Sequence, residues 1–383
     1  MIRIIHTSDI HLDACFAASR YPSALANRRR QSLREVFQGI LQRAKDWPAD
    51  AVLIAGDLYE HERLTPDTLD FLKTALQAAA PVPVFITPGQ HDPATPASPY
   101  VMHTWPAHVR VFSEPRWRSH TLEAPGLTIH GFGFNAPELA LNPFGALRIP
   151  RDKLTHVAVG YGSEIGTLAP GETPLAPFSL GDAIPESLAY LALGRSHTMK
   201  VFRDKQSPRA AYPGSPEGHG ADESGTRYYL EVEIDEGHVS IRPVPSNKSL
   251  YMTHTIDCSE VTSAKQVIEA VRAQAPPGDL ARIARITLTG ETHPEWTRQL
   301  ATIRDALAAD FEYLDLVDET RVAEDYGLLA RDRTSLGSFV KRIGAEIADC
   351  ADVQRRAMLE RAREAGVAAY RGRELPIRGE EGE

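Results

Sequence analysis

Short apolar runs alternate with longer amphipathic segments through the first 250 or so residues of the chain. Each run is bounded by Gly, Pro, Asp or Asn, as is usual for strands buried on both faces. Such a rhythm is typical of an α/β domain. The predicted strands are residues 2–5, 51–55, 82–87, 127–132, 157–159 and 190–193.

Two amphipathic stretches between these runs predict helices. In residues 25–45 the apolar positions, among them Leu33 and Phe37, recur at helical spacing, which indicates a helix packed on a sheet. Residues 65–77 predict a second helix. Pro66 stands near its start, where the missing backbone N–H does no harm.

The pattern changes after residue 228. Two alternating segments around Asp235-Glu236-Gly237 predict a β-hairpin. A strand, a helix and another apolar run then predict a small separate α/β module, and a helical pattern follows from residue 335 to about 370. The segments are the hairpin strands 229–234 and 238–244, the module's strand 284–289, helix 296–308 and apolar run 311–317.

The chain is therefore expected to divide into four parts. A main domain covers residues 1–248, the small α/β module 249–334, a helical segment 335–372 and a flexible, frayed tail 373–383.

Composition narrows the class of protein. The 383 residues carry 42 Lys and Arg against 51 Asp and Glu, a formal charge of −9, in an ordinary globular composition. DNA would therefore have to meet a local basic surface rather than a basic protein. The basic run at residues 28–30 could touch phosphates, although on an amphipathic helix it is more often a solvated face.

Cysteine usage and hydropathy predict a cytoplasmic protein. Cys15, Cys258 and Cys350 are far apart and form no Cys-x-x-Cys pair, which argues against a disulfide framework and a cysteine zinc site. The N-terminus leaves no room for an apolar signal core, and no run approaches the ~18 apolar residues of a membrane span. We expect neither export nor membrane insertion.

Polar residues follow several of the predicted strands directly. Asp9 and His11 come after the first strand, Asp57 after the second, and His91 after the third. Strand ends of α/β folds meet at a shared crevice, so oxygen and nitrogen donors can converge there on a divalent cation. Each motif alone is more often an ordinary turn, but the ordered set indicates a metal site.

The ordered array Asp-x-His, Gly-Asp, Gly-x-His-Asp and Gly-x-x-His resembles the calcineurin-like metallophosphoesterase family. Within that family the motifs are similar to those of SbcD-like nucleases of DNA repair. The motifs are HTSDIHLD, VLIAGDLYE, ITPGQHDP, YLALGRSH and AAYPGS. The resemblance covers about residues 1–250 at motif level, and beyond them it rests on domain order.

The resemblance implies an α/β fold, a two-layer β-sandwich flanked by helices. It implies a smaller α/β capping domain at 249–334, which selects the form of DNA admitted. The helices at 335–372 would dock on an SbcC-like coiled-coil ATPase, although their apolar positions could equally pack on the chain itself. DNA ends are the expected substrate or ligand, a homodimer is left open, and no membrane partner is expected.

Two metal ions, commonly manganese, are implied by the same resemblance. One would be held by four residues that are all present here: Asp9, His11, Asp57 and His197. The other would share Asp57, but its three remaining ligands are replaced by Gln90, Tyr161 and Arg195. All three ligands exclusive to the second metal are changed, whereas all four ligands of the first metal are present. This pattern indicates that the second metal site was lost as a unit and not by random substitution.

Arg195 is the strongest argument against a second metal. A guanidinium cannot be deprotonated in a protein or bind a cation. A positive charge ~4 Å from a metal position would cost about 4 kcal/mol per unit charge at an effective dielectric constant near 20. Tyr161 is a poor ligand while its phenol is protonated, against a reference pKa of ~10. We therefore predict one divalent metal, manganese by resemblance, and no second one.

Three functions are compatible with this site. In a mononuclear phosphodiesterase, Arg195 would clamp a phosphate, and His91, oriented by Asp92, would steady or protonate the leaving oxygen. Alternatively, loss of the two-metal clamp would reduce or abolish activity and leave a pseudoenzyme that binds DNA ends or the ATPase. A small-molecule phosphoesterase is the third alternative, because the fold does not name its substrate.

Overall fold

The computed structural model describes residues 1–16, 21–137, 142–168, 173–205, 207–276, 278–292, 299–322 and 324–372. The strands are β1 (Ile2–Thr7), β2 (Ala51–Ala55), β3 (Val84–Thr87), β4 (Val109–Val111), β5 (Arg118–Leu122), β6 (Leu127–Gly131), β7 (Thr155–Tyr161), β8 (Leu188–Gly194), β9 (Lys200–Asp204), β10 (Ser207–Tyr212), β11 (Tyr228–Asp235), β12 (His238–Pro245), β13 (Ser249–Asp257), β14 (Ala281–Thr289), β15 (Glu291–Thr292), β16 (Tyr313–Asp318) and β17 (Arg321–Val322). The α-helices are α1 (Ser23–Asp46), α2 (Pro66–Ala78), α3 (Pro99–Met102), α4 (Leu180–Ala183), α5 (Ala264–Gln274), α6 (Leu300–Leu307), α7 (Tyr326–Leu329), α8 (Ser335–Asp349) and α9 (Val353–Tyr370).

Two six-stranded sheets form the body of the protein. The first has the order β12-β11-β1-β2-β3-β4, in which β1 to β4 are parallel and β11 and β12 form the antiparallel hairpin that the sequence predicted. The second has the order β5-β6-β7-β8-β10-β9, with a parallel centre and antiparallel edge strands. All six strands expected in the main domain are present, and the predicted α/β fold with two sheets flanked by helices is confirmed.

The apolar run of β2 shows why the sheets stack. Ala51, Leu53 and Ala55 share a buried cluster with residues of the second sheet, such as Val157 and Tyr190. The intervening residues of β2 face the opposite way, into a cluster with α1 and α2. A strand buried on both faces needs an unbroken apolar sequence, and this explains the pattern from which it was predicted.

Helix α1 lies close to its predicted position, and its apolar stripe packs on the first sheet. Helix α2 begins as the sequence suggested, with Pro66 in its first turn and the Thr65 hydroxyl accepting a hydrogen bond from the Thr68 backbone N–H at 3.2 Å. Arg29 differs from expectation, because it is 1% exposed and its guanidinium is paired with Glu217. It is therefore unavailable to DNA.

The chain divides into two compact units. One comprises Met1–Thr255, Val271–Thr287 and Arg304–Val317, and it contains both six-stranded sheets and most of the three-stranded sheet β13-β14-β16. The other comprises Ile256–Ala270, Leu288–Ile303 and Asp318–Glu383. The domain boundaries drawn from the sequence stay predictions.

The second unit contains the predicted C-terminal helices, α8 and α9. Phe339 of α8 packs against Gly366 of α9, and its ring centroid lies 6.0 Å from that of Tyr370. Val353 and Met358 of α9 are exposed. Residues 296–298 of the predicted helix 296–308 and the predicted tail 373–383 lie outside the described residues. Among the described residues, no helix has the length and apolar content to span a bilayer.

Candidate metal centre

The residues singled out by the sequence gather at the carboxyl ends of strands from both sheets. Asp9 and His11 follow β1, and Asp57 follows β2 in the first sheet. Tyr161 ends β7, and Arg195 follows β8 in the second sheet. Gly194 allows the two sheets to approach here, because a Cβ atom on it would overlap the carbonyl oxygen of Ala55. The sandwich itself therefore brings the two halves of the motif set together.

The backbone at the centre is held in an uncommon conformation. Asp9, His11 and Asp57 each have φ of +51°, and Arg195 has φ of +121°. Left-handed residues other than glycine persist only where surrounding contacts hold them, and they cluster at functional sites. Two such contacts are visible: the N–H groups of Asp9 and His11 donate to the carbonyls of Gly56 and Asp57 at 3.0 and 2.9 Å.

Of the four expected ligands of the first metal, Asp9, His11 and His197 form one set of neighbouring donor atoms, and Asp57 lies beside His11. The Nε2 atoms of His11 and His197 are 3.2 Å apart. His11 Nε2 lies 3.8 Å from Asp57 Oδ2, and His197 Nε2 lies 3.9 Å from Asp9 Oδ1. Both carboxylates are buried. Imidazole nitrogens beside carboxylate oxygens are donors that suit a borderline divalent cation.

Two carboxylates that the sequence analysis did not select as site residues fix the orientation of these histidines. Glu60 Oε1 is 2.7 Å from His11 Nδ1, and Glu223 Oε1 is 2.6 Å from His197 Nδ1. Because a carboxylate accepts, each Nδ1 carries the hydrogen and donates it, which directs both Nε2 atoms towards the centre. Two lone pairs 3.2 Å apart repel unless a cation or a proton lies between them. The donors present therefore fit a bound metal ion.

The same hydrogen bonds affect the pKa values of His11 and His197. Burial lowers the pKa of His11, and its hydrogen bond with Glu60 offsets part of that effect. Burial also acts to lower the pKa of His197, but the hydrogen bond with Glu223 and the charge of Asp9 outweigh it and raise the pKa to about 9. A proton on His197 Nε2 can thus be donated to His11 Nε2. Metal binding at this point would displace it.

Tyr161 also contacts Asp57. Its hydroxyl donates to Asp57 Oδ2 at 2.6 Å, and its ring packs on Gly56 and Gly89, where a Cβ atom would lie 2.3 and 2.8 Å from Tyr161 Cδ2. Burial, followed by the Asp57 charge, raises the pKa of Tyr161 well above its usual value, so the phenol stays protonated. A protonated phenol donates hydrogen bonds to the carboxylate and is a poor metal ligand.

Gln90 and Arg195 are the other two residues predicted to replace ligands of a second metal. Gln90 directly follows Gly89, which touches the Tyr161 ring. Arg195 donates its backbone N–H to both carboxylate oxygens of Asp9 at 3.2 Å, and its charge lowers the pKa of Tyr161 in part. The structure thus places Arg195 and Tyr161 in one neighbourhood.

Asp92 and His91 are arranged differently from the expectation. Asp92 accepts hydrogen bonds from the backbone N–H groups of Asp57, Leu58 and Gly89 and from the Tyr100 hydroxyl, and thereby fixes the loops around the centre. The side chain of His91 pairs instead with Glu60, with Nδ1 3.1 Å from Oε2. Glu60, not Asp92, therefore orients His91.

Three residues at the centre were missed in the sequence. Among the described residues, three sets of donor atoms lie within 4.8 Å of one another: Asp9, His11 and His197; His11, Asp57 and His91; and His197, His219 and Glu223. His219 has no ligand-spaced partner in the sequence, yet its ring centroid is 5.1 Å from that of His11. Glu60 stands only three residues after Asp57, which was an available signal. His219 and Glu223 lie in an irregular segment after β10 with no motif spacing.

The chain is similar in sequence to several known proteins. Residues 2–163 match the family model described as calcineurin-like phosphoesterase. The uncharacterized metallophosphoesterase YhaO of Bacillus subtilis is 26% identical over 304 residues, which are 77% of this chain and 73% of that protein.

Several archaeal proteins are also similar to the chain. The DNA double-strand break repair protein Mre11 of Aeropyrum pernix is 28% identical over 269 residues, 64% of this chain and 61% of that protein. Mre11 of Methanopyrus kandleri is 26% identical over 263 residues, 62% of this chain and 55% of that protein. The chain thus spans less than two thirds of these Mre11 proteins. Among solved structures, a dimetal phosphatase from Danio rerio has a TM-score of 0.40 at 10% identity, covering 65% of this chain and 99% of that one.

Proposed function

We propose that this protein hydrolyses DNA phosphodiesters with the help of a single divalent cation. The match of residues 2–163 to the calcineurin-like phosphoesterase family and the similarity to Mre11 and YhaO proteins support this proposal. The observation that carries this proposal is the pair of Nε2 atoms of His11 and His197, directed at one point and 3.2 Å apart. Asp9 and Asp57 supply the oxygen donors beside that point. Manganese is the proposed ion.

Each residue of the site has a separate role in the proposed reaction. A cation held by Asp9, His11, Asp57 and His197 would polarise a phosphate oxygen and lower the pKa of an attacking water. Arg195 would hold the phosphate and neutralise charge that develops on it. His91, whose Nδ1 is fixed by Glu60, presents Nε2 as a proton donor for the leaving oxygen.

The absence of a second metal is part of the proposal. In a two-metal site Asp57 would be shared between the ions, but here Oδ2 accepts the Tyr161 hydroxyl and Oδ1 accepts the His91 backbone N–H at 2.8 Å. Both oxygens of Asp57 thus already accept hydrogen bonds, and a second cation would have to displace one of these donors. The nearby charge of Arg195 adds to the cost of a cation there.

A catalytically silent scaffold is the second candidate, and the Tyr161 hydrogen bond to Asp57 is the observation that favours it. Without a two-metal clamp on the attacking and leaving oxygens, the rate could fall below any useful level. The protein would then bind DNA ends, or an SbcC-like coiled-coil ATPase through the helices of residues 335–372. Residues 249–334 would act as the capping domain in either case.

Metal analysis combined with a nuclease assay separates these candidates. The enzyme hypothesis expects one manganese per chain and cleavage of linear DNA that disappears in His197→Ala. One manganese per chain without cleavage, and with DNA-end binding kept in His197→Ala, would support the scaffold. Lys153→Gln is the matched surface control, because Lys153 is exposed and lies two residues before β7, at the end of that strand opposite to Tyr161.

Restoring the replaced ligands tests the assignment of the second site. The combined variant Gln90→Asn, Tyr161→His and Arg195→His should bind two manganese ions and cleave DNA faster than the wild type. If it still binds one ion, these three positions are not the remnants of a metal site.

A further inference from the structure

Asp92 connects the loops that follow β2 and β3. Its side chain is fully buried. Its Oδ1 atom accepts the backbone N–H groups of Asp57 and Gly89 at 3.0 and 2.6 Å, and its Oδ2 atom accepts that of Leu58 at 2.9 Å. One carboxylate thus holds three backbone N–H groups around the proposed metal ligand Asp57.

Two of these N–H groups belong to the peptide groups on either side of the Asp57 Cα atom. The backbone of Asp57 has φ of +51°, a conformation that a residue other than glycine keeps only where surrounding contacts hold it. Because Asp92 binds the N–H groups of both Asp57 and Leu58, it restrains φ and ψ of Asp57 together. The direction of the Asp57 side chain therefore depends on Asp92.

The Tyr100 hydroxyl also donates to Asp92, with 2.7 Å between Oη and Oδ2. An ionised carboxylate has about four lone-pair sites, and this hydrogen bond and the three from the backbone fill them. Burial, followed by the charge of Asp92, raises the pKa of Tyr100 well above its usual value, so the phenol stays a donor. Backbone donors cannot be removed by substitution, but the Tyr100 hydroxyl can.

The direction of the Tyr100 hydroxyl is set by the packing of α3. Tyr100 is buried, and its ring centroid lies 5.1 Å from that of Tyr59 and 5.9 Å from that of Trp105. Its backbone N–H donates to the hydroxyl of Ser98, the residue that caps α3, at 3.3 Å. The neighbouring phenol of Tyr59 is equally buried, but its oxygen lies 3.1 Å from the Ser98 hydroxyl oxygen.

We propose that Tyr100 is a positioning residue of the metal centre, which holds the Asp92 carboxylate where it restrains the backbone on both sides of Asp57. The inference rests on the proposed function, because it adds a residue of α3 to the site that would bind the cation. Tyr100 acts through Asp92 and not by contact with the cation.

Amide hydrogen exchange in the metal-free protein tests the restraint itself. Tyr100→Phe and Tyr59→Phe are a matched pair, because each removes one buried hydroxyl and keeps the ring. Tyr100→Phe should accelerate exchange at Asp57, Leu58 and Gly89 about tenfold, the effect of one lost hydrogen bond. Tyr59→Phe should change these amides by less than about twofold. Equal acceleration in both variants, or none in Tyr100→Phe, would overturn the proposal.

Manganese affinity, measured by titration calorimetry, tests the consequence for the centre. Tyr100→Phe should raise the dissociation constant about tenfold, whereas Tyr59→Phe should keep it within about twofold of the wild type. In an Asp92→Asn background Tyr100→Phe should add less than about twofold, because the carboxylate through which it acts is gone. A full tenfold effect in that background would show that Tyr100 does not act through Asp92.

The two measurements separate this inference from the proposed function. Selective acceleration of exchange in Tyr100→Phe, with no manganese bound by the wild type, supports the positioning role and rejects the metal centre. Manganese-dependent cleavage of DNA by the wild type, with no difference between the two phenylalanine variants in exchange or affinity, supports the enzyme and rejects the positioning role.

Discussion

Glu60 and Glu223 decide which nitrogen of His11 and His197 faces the metal centre. Each carboxylate lies within 2.7 Å of an Nδ1 atom, and Glu60 also holds His91. Burial acts to raise the pKa of Glu60 and of Glu223, but the hydrogen bonds to their histidine partners outweigh it and hold both values well below the usual range. Both residues are therefore charged at neutral pH.

Removing either charge should weaken metal binding. Glutamine keeps an acceptor but makes a weaker hydrogen bond, so Glu60→Gln and Glu223→Gln should each lower manganese affinity by about 10- to 100-fold. Titration calorimetry measures the change. Glu114→Gln is the control, since Glu114 pairs with two exposed arginines on the surface. Affinities equal to that of the wild type would show that the histidine orientation does not depend on these carboxylates.

A second histidine pair, His130 and His156, lies away from the centre on β6 and β7. The two side chains are buried, with His130 Nε2 3.0 Å from His156 Nδ1 and His130 Nδ1 2.8 Å from the Ser119 hydroxyl. Burial, followed by the charge of His156, lowers the pKa of His130 from 6.5 to about 4. The unfolded chain thus takes up a proton here before the folded chain does.

The stability of the folded state should therefore decrease as the pH is lowered from 7 to 5. Between pH 7 and pH 5 the unfolded state binds more protons at His130, so this residue alone should reduce the free energy of unfolding by about 2 kcal/mol. In His130→Asn the pH dependence should be shallower by that amount. Urea unfolding in the presence of a chelator measures it, and His238→Asn, which removes an exposed histidine, is the control. Parallel profiles of the wild type and His130→Asn would contradict the prediction.

Helix α8 contains two glycines with different surroundings. A Cβ atom on Gly337 would lie 2.2 Å from the backbone carbonyl oxygen of Asp332, and the Gly337 N–H is bound by the Thr334 hydroxyl at the start of the helix. A Cβ atom on Gly344 would meet no atom within 4 Å among the described residues. The first glycine is required by a close backbone contact, and the second is not.

Alanine should therefore have opposite effects at these two positions. Gly337→Ala should destabilise the helical unit by about 1–3 kcal/mol because a backbone carbonyl must move. Gly344→Ala should stabilise it by up to about 1 kcal/mol through helix propensity. Thermal unfolding of both variants against the wild type is the measurement, and a gain in stability for Gly337→Ala would show that the turn before α8 relaxes freely.

The sequence predicted elements well where burial determines the pattern. The run of β2 is apolar at every position because both of its faces are covered, and α1 shows the stripe that packs on the sheet. The edge strands β4, β5 and β9 were missed, because they are short and partly exposed and carry no such pattern. Arg29 was misjudged for a related reason: its partner Glu217 is 188 residues away, and no local pattern reports such a contact.

The candidate ligands come from both sheets, so metal binding connects the two halves of the sandwich. Asp9, His11 and Asp57 follow strands of the first sheet, and His197 follows β8 of the second. A ligand that binds only the folded state stabilises it by RT ln(1 + [L]/Kd), about 2.7 kcal/mol at a hundredfold excess over Kd.

Manganese should accordingly raise the melting temperature, and a chelator should reverse the change. His197→Ala should abolish the increase because it removes the ligand from the second sheet. Lys153→Gln should retain the full increase. Differential scanning calorimetry with and without manganese is the measurement, and an unchanged melting temperature in the wild type would argue against a metal bound at this centre.

At the scale of the whole molecule, the sequence predicted the type of fold. It also predicted that polar residues after several strands would lie close together, because the strand ends of such folds converge. It could not predict that Glu60 rather than Asp92 would hold His91, since both belong to the quoted motifs and only the loop conformation selects between them. His219 and Glu223 were beyond reach, because their approach to His11 and His197 depends on an irregular segment.

The left-handed backbone at Asp9, His11 and Asp57 restricts the substitutions that these positions can accept. Asp, Asn, His and Gly tolerate φ near +51°, whereas β-branched residues are strained there. In a relative that no longer hydrolyses phosphoesters, the backbone conformation alone would still limit which residue types fit at these three positions. The presence of Asp or His at these three positions in a relative is therefore weak evidence that the relative is catalytically active.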